Sequence, residues 1–291
     1  MHDPEPAAHV IGLRDPALAQ TLEEQGYANL GQLLGPEDVR ACLEAFDEAV
    51  ERLGRPLGDA WFPTILLPES DVRDFLTAEL ERRVCPHLDA IFDLTELELI
   101  RLDLSVKPPS PTSELGPHQD FSLIDERRWR SLYLWIPLVD TDERNGTLYV
   151  VPASHRFTNA IRSQHVPAVF DEVLPQVHES AVRLDCRAGD LVLMVSGVVH
   201  FSPPNQTDQV RLAAHGIVKP TAAPLVFYYA DDETPIDKVE CYELDLPAYV
   251  RQIREGRPSA DVPVTDLVDR PPSSMTAERF RDGLARVAAG P

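Results

Sequence analysis

The sequence contains few cysteines and no long apolar run. Its four cysteines, Cys42, Cys85, Cys186 and Cys241, lie far apart and form no C-x-x-C pair. This spacing argues against a disulfide framework or a structural zinc site, and it favours a reducing, cytoplasmic location. No apolar stretch reaches the roughly 20 residues of a membrane-spanning helix. The N-terminus also lacks the basic and then apolar pattern of a signal peptide.

Positive charge is scarce as well. The 291 residues include 27 Lys and Arg against 48 Asp and Glu, which gives a net charge of −21 at pH 7. Because no basic stripe is available to neutralise phosphates, we expect no nucleic-acid partner. An anionic membrane surface is an equally poor partner. We therefore expect a small-molecule substrate, and the sequence leaves the oligomeric state open.

Helical signals dominate the first part of the chain. Pro36 with two acidic neighbours suits the first turn of a helix, apolar residues follow at helical spacing, and Gly54 suits its end. Predicted helices cover residues 16–26, 36–54, 69–92 and 276–288. The segment 230–275 is rich in proline and acidic residues, and we expect mostly loop there.

After residue 96 the pattern changes to strands. Residues 97–106 alternate between apolar and polar side chains, as in a strand with one wet face. Further predicted strands are Leu132–Val139, Thr147–Val151, Val182–Leu184, Leu191–Val195 and Val210–Val218. Several short strands without intervening helices favour an antiparallel sandwich or jelly roll.

We therefore predict one domain over residues 1–291. Its fold class is mainly β with flanking helices, around a double-stranded β-helix (jelly-roll, cupin-like) core. The predicted parts are a helical N-terminal part (about 1–95), the jelly-roll core (about 96–230) and a loop and helix C-terminal extension (about 231–291).

The most informative motif is His118-Gln119-Asp120. In a strand, residues i and i+2 point the same way, so His118 and Asp120 can reach one ion together. His200 follows an apolar run and is expected at another strand end. Two imidazoles and one carboxylate occupy one face of an octahedral ion and leave three positions open, which suits non-haem Fe(II). The motif is also common by chance, so a structural role for these histidines stays open on spacing alone.

Three further segments resemble the phytanoyl-CoA dioxygenase family of Fe(II)/2-oxoglutarate-dependent oxygenases. Lys107-Pro108-Pro109 precedes the metal motif, as in the family's K-P-P…H-Q-D segment. Residues 145–155, NGTLYVVPASH, and residues 200–211, which begin at His200 and end at Arg211, are similar to its next two motifs. The resemblance covers residues 100–216. One departure is Ala153, where the family usually has Gly, and we expect that turn to close with a negative φ.

The resemblance implies the roles of the site residues. His118, Asp120 and His200 would hold Fe(II), and 2-oxoglutarate and O2 would bind the open positions. Arg211 would pair with the far carboxylate of 2-oxoglutarate, because a guanidinium offers a planar two-pronged match.

Three more positions are implied to bind the same co-substrate. Ser202 would be a hydroxyl partner of that carboxylate, and Gln119 and Trp135 would line the co-substrate. The alternatives are a surface charge for Arg211, core packing for Trp135 and a solvent-facing or supporting role for Gln119.

Other polar residues receive structural interpretations. We expect His155 to fix a loop over the site, and His215 to be a core residue or to support the site. Arg130 and Arg162 are expected to be solvated surface charges, with contact to an acidic substrate as the alternative.

The favoured function is hydroxylation of a small molecule in bacterial secondary metabolism, with succinate and CO2 as co-products. Desaturation, epoxidation or ring closure would use the same residues. Asp120 disfavours halogenation, because it occupies the position that chloride would need. A cupin-like metal isomerase or hydrolase would not need Arg211 and Ser202, and a non-catalytic binding module would be expected to have lost part of the triad.

Overall fold

The computed structural model describes residues 11–158, 161–166, 169–270 and 274–288. The helices are α1 (Pro16–Gln25), α2 (Pro36–Leu53), α3 (Ser70–Leu88), α4 (Leu174–Ser180), α5 (Leu246–Glu255) and α6 (Ala277–Ala288). The strands are β1 (Tyr27–Gln32), β2 (Phe62–Pro63), β3 (Leu97–Lys107), β4 (Leu115–His118), β5 (Leu132–Pro137), β6 (Leu148–Val150), β7 (Val182–Leu184), β8 (Asp190–Val195), β9 (His200–Ser202), β10 (Arg211–Pro220), β11 (Val226–Tyr229), β12 (Lys238–Glu243) and β13 (Asp266–Asp269). None of these described helices is both long and apolar enough to span a bilayer.

Two antiparallel sheets form the centre of the fold. The larger sheet has the strand order β1-β8-β5-β10-β3-β2, and the smaller has the order β4-β9-β6-β7. Side chains from both sheets line one cavity, so the sheets face each other across it. This arrangement is the predicted jelly roll, and the predicted fold class is confirmed. A third sheet, β11-β12-β13, adds to this core.

The alternation of β3 places the core and the cavity on opposite faces of the larger sheet. Leu102, Leu104 and Val106 are fully buried in one cluster with the apolar face of α3. The intervening residues Asp103 and Ser105 line the cavity instead. Because strand side chains alternate with a period of two, the helices cover one face while polar groups collect on the other.

The segment after residue 230 differs from the prediction. The segment 230–275, expected to be mostly loop, also contains β12, α5 and β13, and none of these three elements was predicted. The residues at the start of α5 form a helix N-cap, which the proline-rich and acidic composition of the segment did not indicate. The Asp245 side chain accepts from the Ala248 N–H at 2.8 Å and Pro247 lies in the first turn, as expected at a helix N-terminus.

The N-terminal part also contains more than helices. β1 pairs with β8 and β2 pairs with β3, so both strands extend the larger sheet. The helical N-terminal part predicted for about 1–95 was therefore incomplete. β1 includes Gly31 and has mixed burial, and β2 has only two residues, so neither shows a clear alternation.

Ala153 adopts a conformation opposite to the one expected. Its φ is 58°, in the left-handed region, whereas the turn was expected to close with a negative φ. Its N–H donates to the Gln25 carbonyl at 2.8 Å, which joins the turn to the end of α1. A left-handed alanine costs roughly 1–2 kcal/mol relative to the right-handed conformation. The turn therefore has a backbone conformation that favours glycine, and Ala153 is strained there.

The end of α1 is packed closely against the turn that precedes β9. Gly26 has a φ of 80°, and its N–H donates to the Leu22 carbonyl at 2.9 Å. A Cβ at this position would overlap with the side chains of Val198 and His155. Gly54, which ends α2 at a φ of 59°, has open space around the same position. The two helix ends therefore differ in packing and share their backbone conformation.

We expect Gly26→Ala to destabilise the fold far more than Gly54→Ala. Both substitutions incur the left-handed cost of roughly 1–2 kcal/mol, but only the first adds a steric clash of roughly 1–3 kcal/mol. Urea unfolding of both variants and of the wild type measures the difference in the free energy of unfolding. Equal losses at the two positions would contradict the close packing around Gly26.

Candidate metal centre

The antiparallel pairing of β4 with β9 brings the predicted metal ligands together. His118 at the end of β4 lies opposite His200 at the start of β9, and their ring centroids are 4.2 Å apart. Asp120 follows two residues later, with Oδ1 3.9 Å from His200 Nε2. One ligand atom from each of the three residues lies within 4.8 Å of the others. This spacing can accommodate one metal ion.

Backbone carbonyls orient both imidazoles. His118 Nδ1 lies 2.8 Å from the Gly116 carbonyl oxygen, and His200 Nδ1 lies 3.0 Å from that of Val198. Each Nδ1–H therefore donates to the backbone, and each Nε2 lone pair is left for a metal. Such hydrogen bonds behind a ligand fix both the tautomer and the direction of the ring.

The charges at this centre favour a bound cation. Burial, with the neighbouring imidazole contributing at His118, lowers the pKa of His118 and of His200 to about 4, so both are neutral at neutral pH and can bind metal. Burial also raises the pKa of Asp120. Asp120 Oδ2 is buried and has no hydrogen-bond partner among the described residues. Since an unpaired buried carboxylate is costly, the donor set fits a divalent metal such as Fe(II).

Arg211, the first residue of β10, is a buried cation in the same cavity. It is only 2% exposed and forms no ion pair with any residue that the structure describes. Its Nη2 lies 3.3 Å from Ser202 Oγ and its Nη1 3.5 Å from Ser105 Oγ, while its buried Nε has no partner. Burial lowers its pKa to about 10, which leaves it charged at neutral pH. The alternative of a surface charge is therefore excluded, and the arrangement suits an anionic ligand.

Lys107 holds the strand end that carries Ser202. Its Nζ donates to the carbonyls of Ser113 at 2.5 Å, Ser202 at 3.1 Å and Pro203 at 2.8 Å. Ser202 Oγ in turn donates to the Gly146 carbonyl at 3.0 Å and accepts from Arg211. Lys107 appeared in the sequence only as part of a motif, and its structural role could not be read from that motif. It connects the two loops beside the anion site.

Gln119 and Trp135 both line the cavity. Gln119 Nε2 donates to Thr158 Oγ1 at 3.0 Å and to the Gly197 carbonyl, and its buried Oε1 has no partner among the described residues. Gln119 is therefore a buried part of the wall and does not face solvent. Trp135 also packs in the main core, with its ring 5.8 Å from the Arg211 guanidinium carbon. Trp135 therefore combines core packing with a place in the cavity lining beside Arg211.

A polar network beside the metal centre was not predicted. The Tyr133 hydroxyl hydrogen-bonds to His215 Nδ1, and His215 Nε2 lies 3.0 Å from Asp103 Oδ1. Asp103 Oδ2 accepts the Ile65 N–H at 3.0 Å. All four residues line the cavity. The three side chains lie on β5, β10 and β3, so only the sheet order brings them together.

The structure contradicts the expectation for Arg162 and agrees with the expectation for His155. Arg162 is not a solvated surface charge, because its side chain is 9% exposed and pairs with Glu126. Its Nε also donates to the Asp120 carbonyl at 2.7 Å, next to the metal centre. His155 is buried, with Nε2 2.9 Å from the Glu23 carbonyl oxygen, in agreement with its expected structural role.

The cavity has a volume of about 490 Å³ and mostly apolar walls. Its inner end contains the metal centre and Arg211. The cavity is also lined by Leu246, Tyr249 and Ile253 of α5 and by Ile65 and Leu66. The segment predicted to be loop therefore supplies part of the cavity wall.

The fold is that of the 2-oxoglutarate-dependent oxygenases, and the spacing of the triad and the buried arginine suit such a site. The family model for phytanoyl-CoA dioxygenase (PhyH) matches residues 22–213, and the chain belongs to this family. The cofactors expected from the sequence, Fe(II), 2-oxoglutarate and O2, are those of the family.

Curated relatives match part of the chain. The chain is 29% identical over 112 residues to a phytanoyl-CoA dioxygenase of Arabidopsis thaliana. The aligned region covers 37% of this chain and 39% of that protein. It is 33% identical over 117 residues to phytanoyl-CoA dioxygenase domain-containing protein 1 of Mus musculus, which covers 37% of this chain and 40% of that one. The matches thus span less than half the length of these relatives.

Solved structures share the fold. EvdO2 from Micromonospora carbonacea var. aurantiaca, complexed with 2-oxoglutarate, is 25% identical, with a TM-score of 0.52 over 78% of this chain and 97% of that chain. The carbocyclase SnoK from nogalamycin biosynthesis is 24% identical, with a TM-score of 0.53 over 73% of this chain and 86% of that chain. The likeness to SnoK shows the fold alone.

We predict that His200→Ala loses Fe(II). Removing one of three protein ligands should weaken metal affinity at least about tenfold. Iron content after dialysis against a weak chelator measures this under anaerobic conditions. His87→Ala, on the partly exposed surface of α3, is the matched control and should retain iron. Full iron occupancy in the His200 variant would rule out this ligand set.

Proposed function

We propose that this protein is an Fe(II)- and 2-oxoglutarate-dependent dioxygenase that hydroxylates a small-molecule substrate. The observation that carries the proposal is the juxtaposition of two uncompensated groups in one cavity. Asp120 presents a buried carboxylate oxygen without a partner, and Arg211 presents a buried guanidinium without a counter-ion among the described residues. A metal ion would bind the carboxylate of Asp120, and a dicarboxylate co-substrate would pair with the guanidinium of Arg211.

The residues divide the work between the metal and the co-substrate. His118, Asp120 and His200 would hold Fe(II), which when bound supplies the activation of O2 that is coupled to oxidation of 2-oxoglutarate to succinate and CO2. Arg211 and Ser202 would hold the far carboxylate of 2-oxoglutarate by charge-assisted hydrogen bonds. The apolar walls exclude water from the reacting groups.

Trp135 and Gln119 are proposed to form the sides of the co-substrate site. Trp135 lies beside Arg211, and Gln119 has a buried acceptor, Oε1, without a partner among the described residues. Lys107 is a positioning residue, since it holds the backbone of Ser202 and contacts neither the triad nor the Arg211 side chain by a hydrogen bond. Bacterial secondary metabolism and a cytoplasmic location remain predictions from the sequence.

Other outcomes of the same chemistry use the same residues, so desaturation, epoxidation and ring closure remain alternatives to hydroxylation. Halogenation is disfavoured because Asp120 takes the position that a halide would need. A cupin-like metal isomerase would leave the Arg211 and Ser202 arrangement without a purpose.

Product analysis under 18O2 tests the reaction type. The protein with Fe(II) and 2-oxoglutarate should release succinate, and candidate metabolites that raise the release are tested as substrates. We expect the product to gain one 18O atom and no halogen in chloride- and bromide-containing buffer. An unsaturated product without 18O would replace hydroxylation by desaturation, and a halogen mass shift would overturn the role of Asp120.

We predict that Arg211→Ala weakens 2-oxoglutarate binding at least about tenfold, because a charge-assisted hydrogen bond contributes roughly 1.5–3 kcal/mol. Arg211→Lys should give an intermediate loss, since it retains the charge without the planar fork. Anaerobic titration of the iron form, followed by the metal-to-ligand charge-transfer band, measures the affinity. Arg83→Ala on α3 is the control, and an unchanged affinity in both Arg211 variants would refute the assignment.

A further inference from the structure

A second arginine, Arg101, lines the cavity, and its hydrogen-bond donors are not all satisfied by the part of the chain that the structure describes. Arg101 on β3 has a side chain that is 17% exposed, and its buried Nε and Nη2 have no hydrogen-bond partner among the described residues. Its ion-pair partner, Asp74, lies 3.7 Å from Nη2 and is 73% exposed. A pair of this length with an exposed carboxylate contributes little. The guanidinium therefore retains donors for another group.

Other arginines near the cavity are differently engaged. Arg162 is paired with Glu126 and donates to a backbone carbonyl, and Arg211 is assigned above to the co-substrate. The nearest acid on the same strand face is Asp103, which is already in contact with His215 and the Ile65 N–H. Arg101 is thus a residue of the cavity lining without a committed acidic partner among the described lining residues.

We propose that Arg101 binds an anionic group of the substrate, a carboxylate or a phosphate, and that the rest of the substrate is apolar. This inference rests on the proposed function, because it names the substrate class of the same site. Arg101 would recognise the substrate, while the triad and Arg211 would keep the roles proposed above.

The apolar part of the substrate follows from the walls near Arg101. Ile65, Ile217, Tyr249 and Ile253 line the same cavity, as do Leu66 and Phe121, which are 39% and 38% exposed. A bound apolar body would cover these side chains and gain roughly 25 cal/mol for each Å² of apolar surface removed from water. One guanidinium among apolar walls suits a single anionic group and an apolar body.

The strand geometry separates the two anion sites. Ser105, which contacts Arg211, and Arg101 are four residues apart on β3, which corresponds to roughly 13 Å along the strand. Arg211 and Arg101 thus serve opposite parts of the cavity. A substrate held by its anion at Arg101 would extend its apolar body toward the metal centre, and the carbon that reacts would be remote from the anion.

Matched probes test the proposal without knowledge of the native substrate. The probes are 5-phenylpentanoate, 5-phenylpentanamide and 4-phenylbutyl phosphate, which share an aryl-alkyl body and differ in the end group. Binding to the anaerobic Fe(II)·2-oxoglutarate form is followed by the shift of its charge-transfer band, with 2-oxoglutarate saturating. Tryptophan fluorescence gives a second readout that does not depend on iron, because Trp61 and Trp135 line the cavity.

We expect one or both anions to bind the wild type at least about tenfold more tightly than the amide, as for one charge-assisted contact. Arg101→Gln should remove this preference and leave amide affinity unchanged. Asp74→Asn is the matched control, and it should retain the preference for the anions, because the Arg101–Asp74 pair contributes little. Which anion binds more tightly identifies the end group as a carboxylate or a phosphate.

Two outcomes would overturn the proposal. Equal affinity of the wild type for the anions and the amide would show that Arg101 is not an anion site. An anion preference that persists in Arg101→Gln would place the anion elsewhere. If either result is found while the wild type shows a normal 2-oxoglutarate charge-transfer band, the proposed function is unaffected. If the wild type lacks that band, the proposed function is refuted, and the fluorescence measurement still tests Arg101.

Discussion

The pairing of β4 with β9 is the constraint on which the candidate site depends. It sets His118 opposite His200, and backbone carbonyls behind each ring turn both Nε2 atoms to one point. A register shift of one residue would move one imidazole to the other face of its strand. Lys107 protects this pairing, since it binds the carbonyl of Ser202 on β9 and that of Ser113 just before β4. The positions of the two imidazoles thus depend on contacts with backbone carbonyls. A sequence motif does not show such contacts.

The candidate site contains two buried charged side chains, Asp120 and Arg211, each with an atom that has no partner among the described residues. Asp120 has a buried oxygen without a partner, and the buried guanidinium of Arg211 has no counter-ion among the described residues. Each is costly in a low-dielectric interior. A ligand that satisfies such a group stabilises the folded state in proportion to its occupancy and affinity. If Asp120 and Arg211 bind the proposed metal and co-substrate, both ligands would therefore also stabilise the fold.

The sequence predicted the elements that have a strong local pattern, such as the alternation of β3 and the proline and glycine that bound α2. It predicted the triad because residue types and motif order carry that chemistry. It could not predict the Tyr133–His215–Asp103 network, because its members meet only through the order β5-β10-β3. The segment after residue 230 was misread because composition outweighed its helix-capping signal. Arg162 was misplaced because its burial depends on Glu126, distant in sequence.

The chain divides its chemistry between two kinds of segment. The family match ends at residue 213 and includes the triad and Arg211, so the residues proposed to bind the cofactors lie within the shared region. The helix α5 lies beyond it and supplies cavity wall through Leu246, Tyr249 and Ile253. Arg254 of α5 connects this helix to the neighbouring segment 65–67 by donating to the Leu67 carbonyl at 3.0 Å. Because α5 touches the cavity and none of the metal ligands, changes in it can alter the space for a substrate and leave the metal geometry intact. This separation explains why motifs indicate the cofactors of this chain but not its substrate.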